Sequence, residues 1–437
     1  GTKLPIISDA DEITGKFEIC IGDTVNRPHV DMTSMKNGSY TIKSFNNKTL
    51  SICGKGNRGT LSGAYAFLGK FAGYKFFYAE NGMETSAKHT KVQAKTNIKF
   101  TPAFDIIDTN FMDSCDEAVY DYVLAYGLNG EAAEKNLSED ICDNLYLSEY
   151  LPYAGDLTKN KYALSYVENE VKNHILSDRY NPYADMQIIR YDTFDLEETL
   201  VYNYKRTTEN IEAQIDCANH LAKYAKNTVG VSNVMIEVCI YGSANNIPEA
   251  YANGSKTIDD NVILRFCPFN LCRAHAITDK KCKDNYAYYK NLKEWSNLSK
   301  NIFMTEYAVN LIQSCPTFPG ISVLQTNLKA YKKLGVKGVF VSGNNEFLST
   351  DTSFGALKAY MTAELLKNPS VKISSKRDSF LKKYYGKSWK SVRNYYNTIN
   401  SAAKKSHCKP TDMTGDMYGT MTSSNKKKCE KYWKSAI

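Results

Sequence analysis

The sequence predicts an α/β protein: a (β/α)8, TIM-type barrel preceded by a small α/β sandwich domain and followed by a helical C-terminal region. Three observations predict it. From residue 103 to about 368, short apolar runs alternate with helical stretches, as parallel strands joined by crossovers require. Residues 37–78 read as two strands, a glycine-rich loop and a helix. Residues 369–437 carry apolar and aromatic side chains at three- and four-residue spacing, the spacing of helices packed by one face.

The first unit is placed at 1–95. EICIGDT (Glu18 to Thr24) reads as a strand ending in a glycine turn. A second strand turns at Asn46-Asn47 into a third, Leu50 to Cys53. A loop from Gly54 to Gly59 follows, then a helix from Thr60 to Phe71 with apolar residues at Leu61, Ala64, Tyr65 and Leu68 and with Gly73 as its C-cap. A phosphate-cradling loop is disfavoured: the Lys-Ser/Thr ending of such loops is missing, and no acidic ribose ligand follows.

Eight strands are read between 103 and 368: Phe104–Thr109, Val123–Leu128, one near Leu145–Leu151, Met186–Tyr191, Val234–Tyr241, Val262–Phe269, Ile302–Tyr307 and Val336–Val341. Helical stretches such as Arg206–Asn227 and Val323–Leu334 lie between them. Eight such units suggest a closed barrel. In the basic helical region, 369–437, Pro410–Ser424 reads as a loop and Lys426–Trp433 as a last helix.

The chain has 437 residues, 43% hydrophobic and 23% charged, ordinary for a globular protein. It opens on Gly1 with no leader-like segment, as expected where a leader has been removed or the sequence starts further along. No apolar run is long enough to span a membrane. The net charge of +8 is uneven: from Lys372 onward sixteen Lys or Arg face four Asp or Glu, a local +12 that leaves −4 for the rest. A solvated helical face accounts for it, and no nucleic-acid-binding motif accompanies the charge.

Twelve cysteines predict an oxidising, extracellular compartment with most of them in disulfides. Cys408–Cys429 is the bridge expected to tie down the basic tail. Buried thiols are the alternative. Cys267, Cys272 and Cys282 are unevenly spaced and lack a fourth near ligand, so no metal is expected, nor any cofactor. Five Asn-x-Ser/Thr sequons, at Asn37, Asn47, Asn136, Asn253 and Asn297, are compatible with a glycoprotein.

The opening block is similar to the small α/β domain that precedes the catalytic barrel in secreted hexosaminidases and α-glucuronidases. Tyr40, Ile42, Ile52, Gly54, Arg58, Gly59, Gly63, Phe67 and Gly73 fit its pattern. Three further blocks resemble one family, secreted proteins with the domain of unknown function 4838. They are NVILRFCPFNLCRAHAITDKKCKDNYAYYKNLKEWSNLSKNIFMTEYAVN (261–310), GVKGVFVSGNNEF (335–347) and FGALKAYMTAELLKNPSVKISSKRDSFLKKYYG (354–386). The resemblance implies a secreted, glycan-directed protein of glycoside-hydrolase type. Its departures bear on the pocket. Asn144–Gly155 has no His where the family has a His-Thr-Phe-like step. Tyr191-Asp192-Thr193-Phe194-Asp195 lacks the family's Cys-rich loop. Thr305-Glu306-Tyr307 replaces Trp-Asp-Tyr, and Ser342-Gly343 replaces Gln-Gly.

Barrel sites sit at the C-terminal ends of the strands, and glycoside hydrolysis needs two carboxyl groups flanking the bond. Asp192, Asp195, Glu306 and Glu346 follow or end strands. In α-glucuronidase-like barrels the acid follows strand four and a base lies on a late strand, which implies Asp192 and Glu306 as the catalytic pair. Arg265, His275, Tyr307, Glu237 and Glu346 are the expected substrate contacts. Glu237 lies inside a strand, where a carboxylate must be paired or functional. Arg265 could pair with it or with Glu306. Tyr191, Tyr241, Tyr307 and Phe347 offer ring faces to sugars. Two readings stay open: a glycan hydrolase, or a carbohydrate-binding or structural protein that keeps the barrel without turnover.

Overall fold

The computed structural model describes residues 5–11, 17–46, 48–77, 83–84, 95–111, 120–128, 141–146, 161–177, 186–191, 208–242, 246–310, 319–343, 353–406, 411 and 421–437. Asp192, Asp195, Glu346, Phe347 and Cys408 lie outside them.

Four strands form the first sheet, in the order β1-β3-β2-β6. They are β1 (Glu18–Ile21), β2 (Tyr40–Phe45), β3 (Thr49–Gly54) and β6 (Asn97–Phe100), with β4 (Lys75–Phe76) and β5 (Met83–Glu84) forming a small separate pair. The β2–β3 hairpin is antiparallel. It turns at Asn46 with φ 53°, and the Asn46 Oδ1 accepts from the Lys48 N–H at 2.7 Å, the local bond that suits Asn to this conformation.

The helix α1 (Gly56–Phe67) starts earlier than its apolar spacing suggests. The glycine-rich stretch is a packing device. A Cβ on Gly54 would lie 1.9 Å from the Thr60 nitrogen, and one on Gly59 would lie 2.5 Å from the Ser39 carbonyl oxygen. Without side chains there, strand and helix backbones meet directly. The helix closes through a wider turn, Leu68–Ala72, onto Gly73 with φ 73°, as the C-cap reading expects.

The second sheet has seven described strands, all paired in parallel. They are β7 (Ile106–Thr109), β8 (Ile141–Tyr146), β9 (Met186–Tyr191), β10 (Val234–Tyr241), β11 (Val262–Cys267), β12 (Ile302–Tyr307) and β13 (Gly338–Ser342). Their order is β7-β13-β12-β11-β10-β9-β8. Sequence neighbours pair in turn from β8 to β13, and the first strand pairs with the last. The described residues do not close an eight-stranded barrel, since β7 and β8 are left as the two edges.

The expected strand Val123–Leu128 is where the reading fails. Tyr120–Tyr126 is the helix α2. Tyr122, Val123 and Tyr126 are buried, at helical spacing, and the Tyr122 and Tyr126 rings lie 4.7 Å apart. Gly127, with φ 68°, ends the helix, and the Leu128 N–H bonds back to the Val123 carbonyl. A short apolar run fits a strand or a buried turn of helix equally well by periodicity. The strand expected near 145–151 lies earlier, at 141–146, with 147–151 outside the described residues.

Helices cover the outer face. They are α3 (Lys161–Ile175), α4 (Thr208–Tyr224), the short α5 (Glu249–Ala252), α6 (Lys283–Leu298) and α7 (Ile321–Leu334). After β13 come α8 (Gly355–Lys367), α9 (Ile373–Tyr385), α10 (Trp389–Lys404) and α11 (Ser423–Lys434). Strand residues alternate between two environments, as the pleat demands. Ile106, Ile188, Met235, Ile263 and Phe303 form a cluster of their own on the inner face. Ile189, Ile236, Leu264, Met304 and Val339 join the large core under the helices. Trp295 of α6, fully buried, meets Phe266 edge-on at 5.7 Å. In the basic region Lys426, Lys427 and Lys428 are exposed, and Tyr395 packs against Trp433 at 5.7 Å. No described helix is long and apolar enough to cross a membrane.

The disulfide expectation is not met. Cys20, Cys53, Cys217, Cys239, Cys267, Cys272, Cys282 and Cys429 are all buried thiols. Most sit within strands and helices, filling core positions as small apolar residues do. Cys429, expected to bridge Cys408, is one of them.

Gly54→Ala, with its Cβ driven into the Thr60 backbone, should lower stability by at least about 1–3 kcal/mol. Urea unfolding of the variant beside the parent measures it; an unchanged midpoint would refute the packing role.

Candidate functional site

The inner face carries charge one step beyond its apolar layer. Arg190, Glu237 and Arg265 follow Ile188, Met235 and Ile263 by two residues on three adjacent strands. Glu237 is fully buried. Arg190 Nε donates to its Oε1 at 2.5 Å, and Arg265 Nε lies 2.8 Å from the same oxygen. Oε2 has no hydrogen-bond partner among the described residues. Burial alone would raise the Glu237 pKa; the charges of Arg190 and Arg265 outweigh it and hold the carboxyl below its ordinary value. The Arg265 guanidinium lies over the Phe303 ring, 5.5 Å from its centre.

Glu306 faces the other way. It shares strand parity with Ile302 and Met304, whose side chains join the helix-side core, and it points toward α7. The Asn327 Nδ2 donates to its Oε1 at 2.9 Å, and Tyr331 donates to the same oxygen. The Arg273 Nη1 donates to Oε2 at 3.2 Å, and Arg273 also donates to the Pro268 carbonyl oxygen at 2.5 Å. Glu306, Arg273, Asn327 and Tyr331 are all buried. Burial first, then the Glu306 charge, pushes the Tyr331 hydroxyl pKa well up, so it stays a neutral donor.

Above the inner charges lies an aromatic row. Tyr241 ends β10, Phe269 follows β11, and Tyr307 ends β12. Tyr241 and Phe269 stack at 5.7 Å with planes 13° apart, and Phe269 meets Tyr307 at 4.9 Å and 31°. Tyr241 and Phe269 are half-buried; Tyr307 is buried. The Arg273 guanidinium sits 5.2 Å from the centre of the Tyr307 ring, so one side chain ties Tyr307 to Glu306.

His275 lies in the loop between β11 and α6, away from that row. Its Nδ1 is 3.2 Å from the Cys272 Sγ, and its Nε2 lies 2.9 Å from the Lys404 carbonyl oxygen. Cys282, at the N-cap of α6, completes a group with Cys272 and His275 whose ligand atoms all lie within 4.8 Å of one another. The hydrogen bond from Cys282 leads the effects that bring the Cys272 thiol pKa down to about 5, with His275 and two backbone N–H groups assisting. Burial works against a charged His275, but the Cys272 bond and charge outweigh it and raise the ring's pKa.

Of the expected residues, the structure brings Arg265 and Glu237 together, sets Tyr307 in the aromatic row, and places Glu306 and His275 elsewhere. Asp192 and Glu346 lie outside the described residues. Sequence reasoning missed Arg190, Arg273, Asn327 and Tyr331. Arg190 carried the same signal as Glu237, a charge inside an apolar strand. Glu306 stands at even spacing from Ile302 and Met304, which marks its face.

The sequence profile described as domain of unknown function (DUF4838) matches residues 159–397. No curated protein matches. Similar solved structures include a family GH115 4-O-methyl-α-glucuronidase, BtGH115A, with specificity for decorated arabinogalactans: TM-score 0.49, 11% identity, over 87% of this chain and 54% of that one. A family 89 protein from Clostridium perfringens in complex with GlcNAc-α-1,4-galactose gives TM-score 0.49 and 9% identity over 96% of this chain and 56% of that one. CpGH84B gives 0.44 and 12%, over 86% and 68%. The chain thus spans little more than half the length of the first two.

Glu306→Gln should destabilise the fold by about 3–5 kcal/mol, because Arg273 would be left buried beside a neutral amide. Chemical denaturation checks this, and an unchanged unfolding midpoint would mean Glu306 is not structural. Glu237 predicts a pH effect. Its folded pKa lies below the unfolded one, so its contribution is complete above about 4.3 and is lost as pH falls through the folded value. Unfolding midpoints from pH 7 downward should show this loss in the parent and lack it in Glu237→Gln.

Proposed function

The chain belongs to the DUF4838 family, and we propose that it is a glycan-directed protein that binds sugar rings along the C-terminal edge of its parallel sheet. The observation that carries this is the row Tyr241, Phe269 and Tyr307 at the C-terminal ends of three adjacent strands. An aromatic face is electron-rich, and the C–H bonds of a pyranose ring present positive partial charge to it. The half-buried Tyr241 and Phe269 offer that surface to a sugar, and Tyr307, buried beneath Arg273, backs Phe269 and holds it in place. The inner-face carboxylate below the row, Glu237, is held by two arginines, and Glu306 lies against α7 with Arg273. Neither is set up as a general acid or base.

Binding without turnover by Glu306 is the reading best supported. Hydrolysis with paired carboxylates, the second reading, is favoured by the position of Asp192, directly after Tyr191, the last residue of β9. It would draw on Asp192 and Glu346 rather than Glu306. An extracellular location belongs to the same proposal. Its support is the sequon at Asn253, an exposed residue in the turn after α5; eight buried thiols take disulfides out of that support.

A glycan array read both for binding and for release of new reducing ends tests both readings. Phe269→Ala should weaken binding about tenfold or more, near 1.4 kcal/mol, while the unfolding midpoint stays close to the parent's. Binding with no release supports the first reading. Release abolished by Asp192→Asn supports hydrolysis. No glycan bound, or Phe269→Ala binding as well as the parent, would refute the aromatic row as the site.

A further inference from the structure

We infer that Cys272, His275 and Cys282 form a zinc site that closes the loop after β11 onto the N-terminus of α6. The inference does not depend on the glycan reading.

The ligand set is a Cys-x2-His-x6-Cys spacing. Its two sulfurs and one ring nitrogen lie within 4.8 Å of one another. In a tetrahedral zinc site the ligand atoms stand about 3.5–3.8 Å apart, from Zn–S of about 2.3 Å and Zn–N of about 2.0–2.1 Å. The Cys272 Sγ to His275 Nδ1 distance is 3.2 Å, so small side-chain adjustments bring the three atoms to that geometry. Both sulfurs are buried and the histidine is half-buried. Thiolate and imidazole together select zinc over the hard cations.

The surroundings are those of a ligand set rather than of stray thiols. The His275 Nε2 lies 2.9 Å from the Lys404 carbonyl oxygen. A carbonyl only accepts, so Nε2 carries a proton, which leaves Nδ1 as the ring's ligand atom when a metal takes the place of its proton. Metal-bound histidines are oriented by this kind of bond. Asn285, fully buried in the first turn of α6, fixes the loop. Its Oδ1 accepts from the Cys272 N–H at 2.9 Å, and its Nδ2 donates to the carbonyl oxygens of Cys272 and His275 at 2.9 and 3.0 Å. Cys272 also pairs with Thr411 as an isolated antiparallel bridge. The site therefore stands where the loop, α6, the end of α10 and residue 411 converge.

Binding makes two Zn–S bonds and one Zn–N bond; the Cys282 S–H proton, and any proton held at the His275 Nδ1, go to solvent. The resulting centre, Zn²⁺ with two thiolates and a neutral imidazole, has no net charge, which suits its burial. The fourth position is taken by water at the half-exposed histidine side.

The test uses the full chain, purified under reducing conditions without chelator, with zinc measured by inductively coupled plasma mass spectrometry. A single zinc ion per chain is expected. Exchange with Co²⁺ should give a thiolate-to-cobalt absorption in the near ultraviolet and tetrahedral bands in the visible. His275→Ala and Cys282→Ser should bind Co²⁺ at least a hundredfold more weakly, and Cys429→Ser should bind it like the parent. If the variants fail to fold, the parent's zinc content and cobalt spectrum decide alone. The inference is overturned by a parent that takes up neither metal, by a Cys272–Cys282 disulfide in the purified chain, or by cobalt binding unchanged in both ligand variants.

Discussion

The strands β10, β11 and β12 are buried on both faces almost throughout, so their charged side chains have no route to water and each must find its counter-charge on its own face within a strand or two. That constraint organises the protein. On the inner face Glu237 draws in Arg190 from one neighbouring strand and Arg265 from the other. On the outer face Glu306 meets Arg273, Asn327 and Tyr331. Apolar residues of similar volume would often do as well for stability. What the ion pairs add is register: a one-residue slip of β11 would carry Arg265 to the helix face and leave Glu237 with an apolar neighbour.

The loop after β11 inherits the consequence. Arg273 reaches Glu306 on one side and covers the Tyr307 ring on the other. Two residues later His275 bonds to α10, and Asn285 of α6 holds the backbone between them. The aromatic row, the outer ion pair and the Cys272–His275–Cys282 group are thus fixed by one short segment. A change at any of these positions should be felt at the others through the backbone of 268–275.

Much of the scaffold was legible. The strands at β9, β10, β11, β12 and β13 stand close to where apolar runs put them, because a doubly buried parallel strand is a continuous apolar run. The segment 123–128 was not legible, since Tyr122, Val123 and Tyr126 serve a helix as well as a strand. The glycine loop misled about the start of α1, because its glycines answer to a contact across space with Ser39 and Thr60 that spacing cannot reveal. At the site, Glu237 and Arg265 were readable as charges inside strands. Glu306 stands at a strand end, but its parity with Ile302 and Met304 sets it on the helix face. Cys267, Cys272 and Cys282 are unevenly spaced with no fourth near ligand, and His275 reads as a substrate contact; the fold instead brings His275 between Cys272 and Cys282 at the N-terminus of α6.

The claim that buried charge is matched within each face of the sheet is tested most directly at the Glu237 carboxyl carbon. Its chemical shift, followed by carbon-detected NMR on selectively labelled protein as pH is lowered, reports its ionisation without reference to stability. The account predicts a carboxylate that stays ionised below the range in which ordinary glutamates titrate. A Glu237 that takes up its proton at or above that range would show burial outweighing the two arginines, and would contradict it.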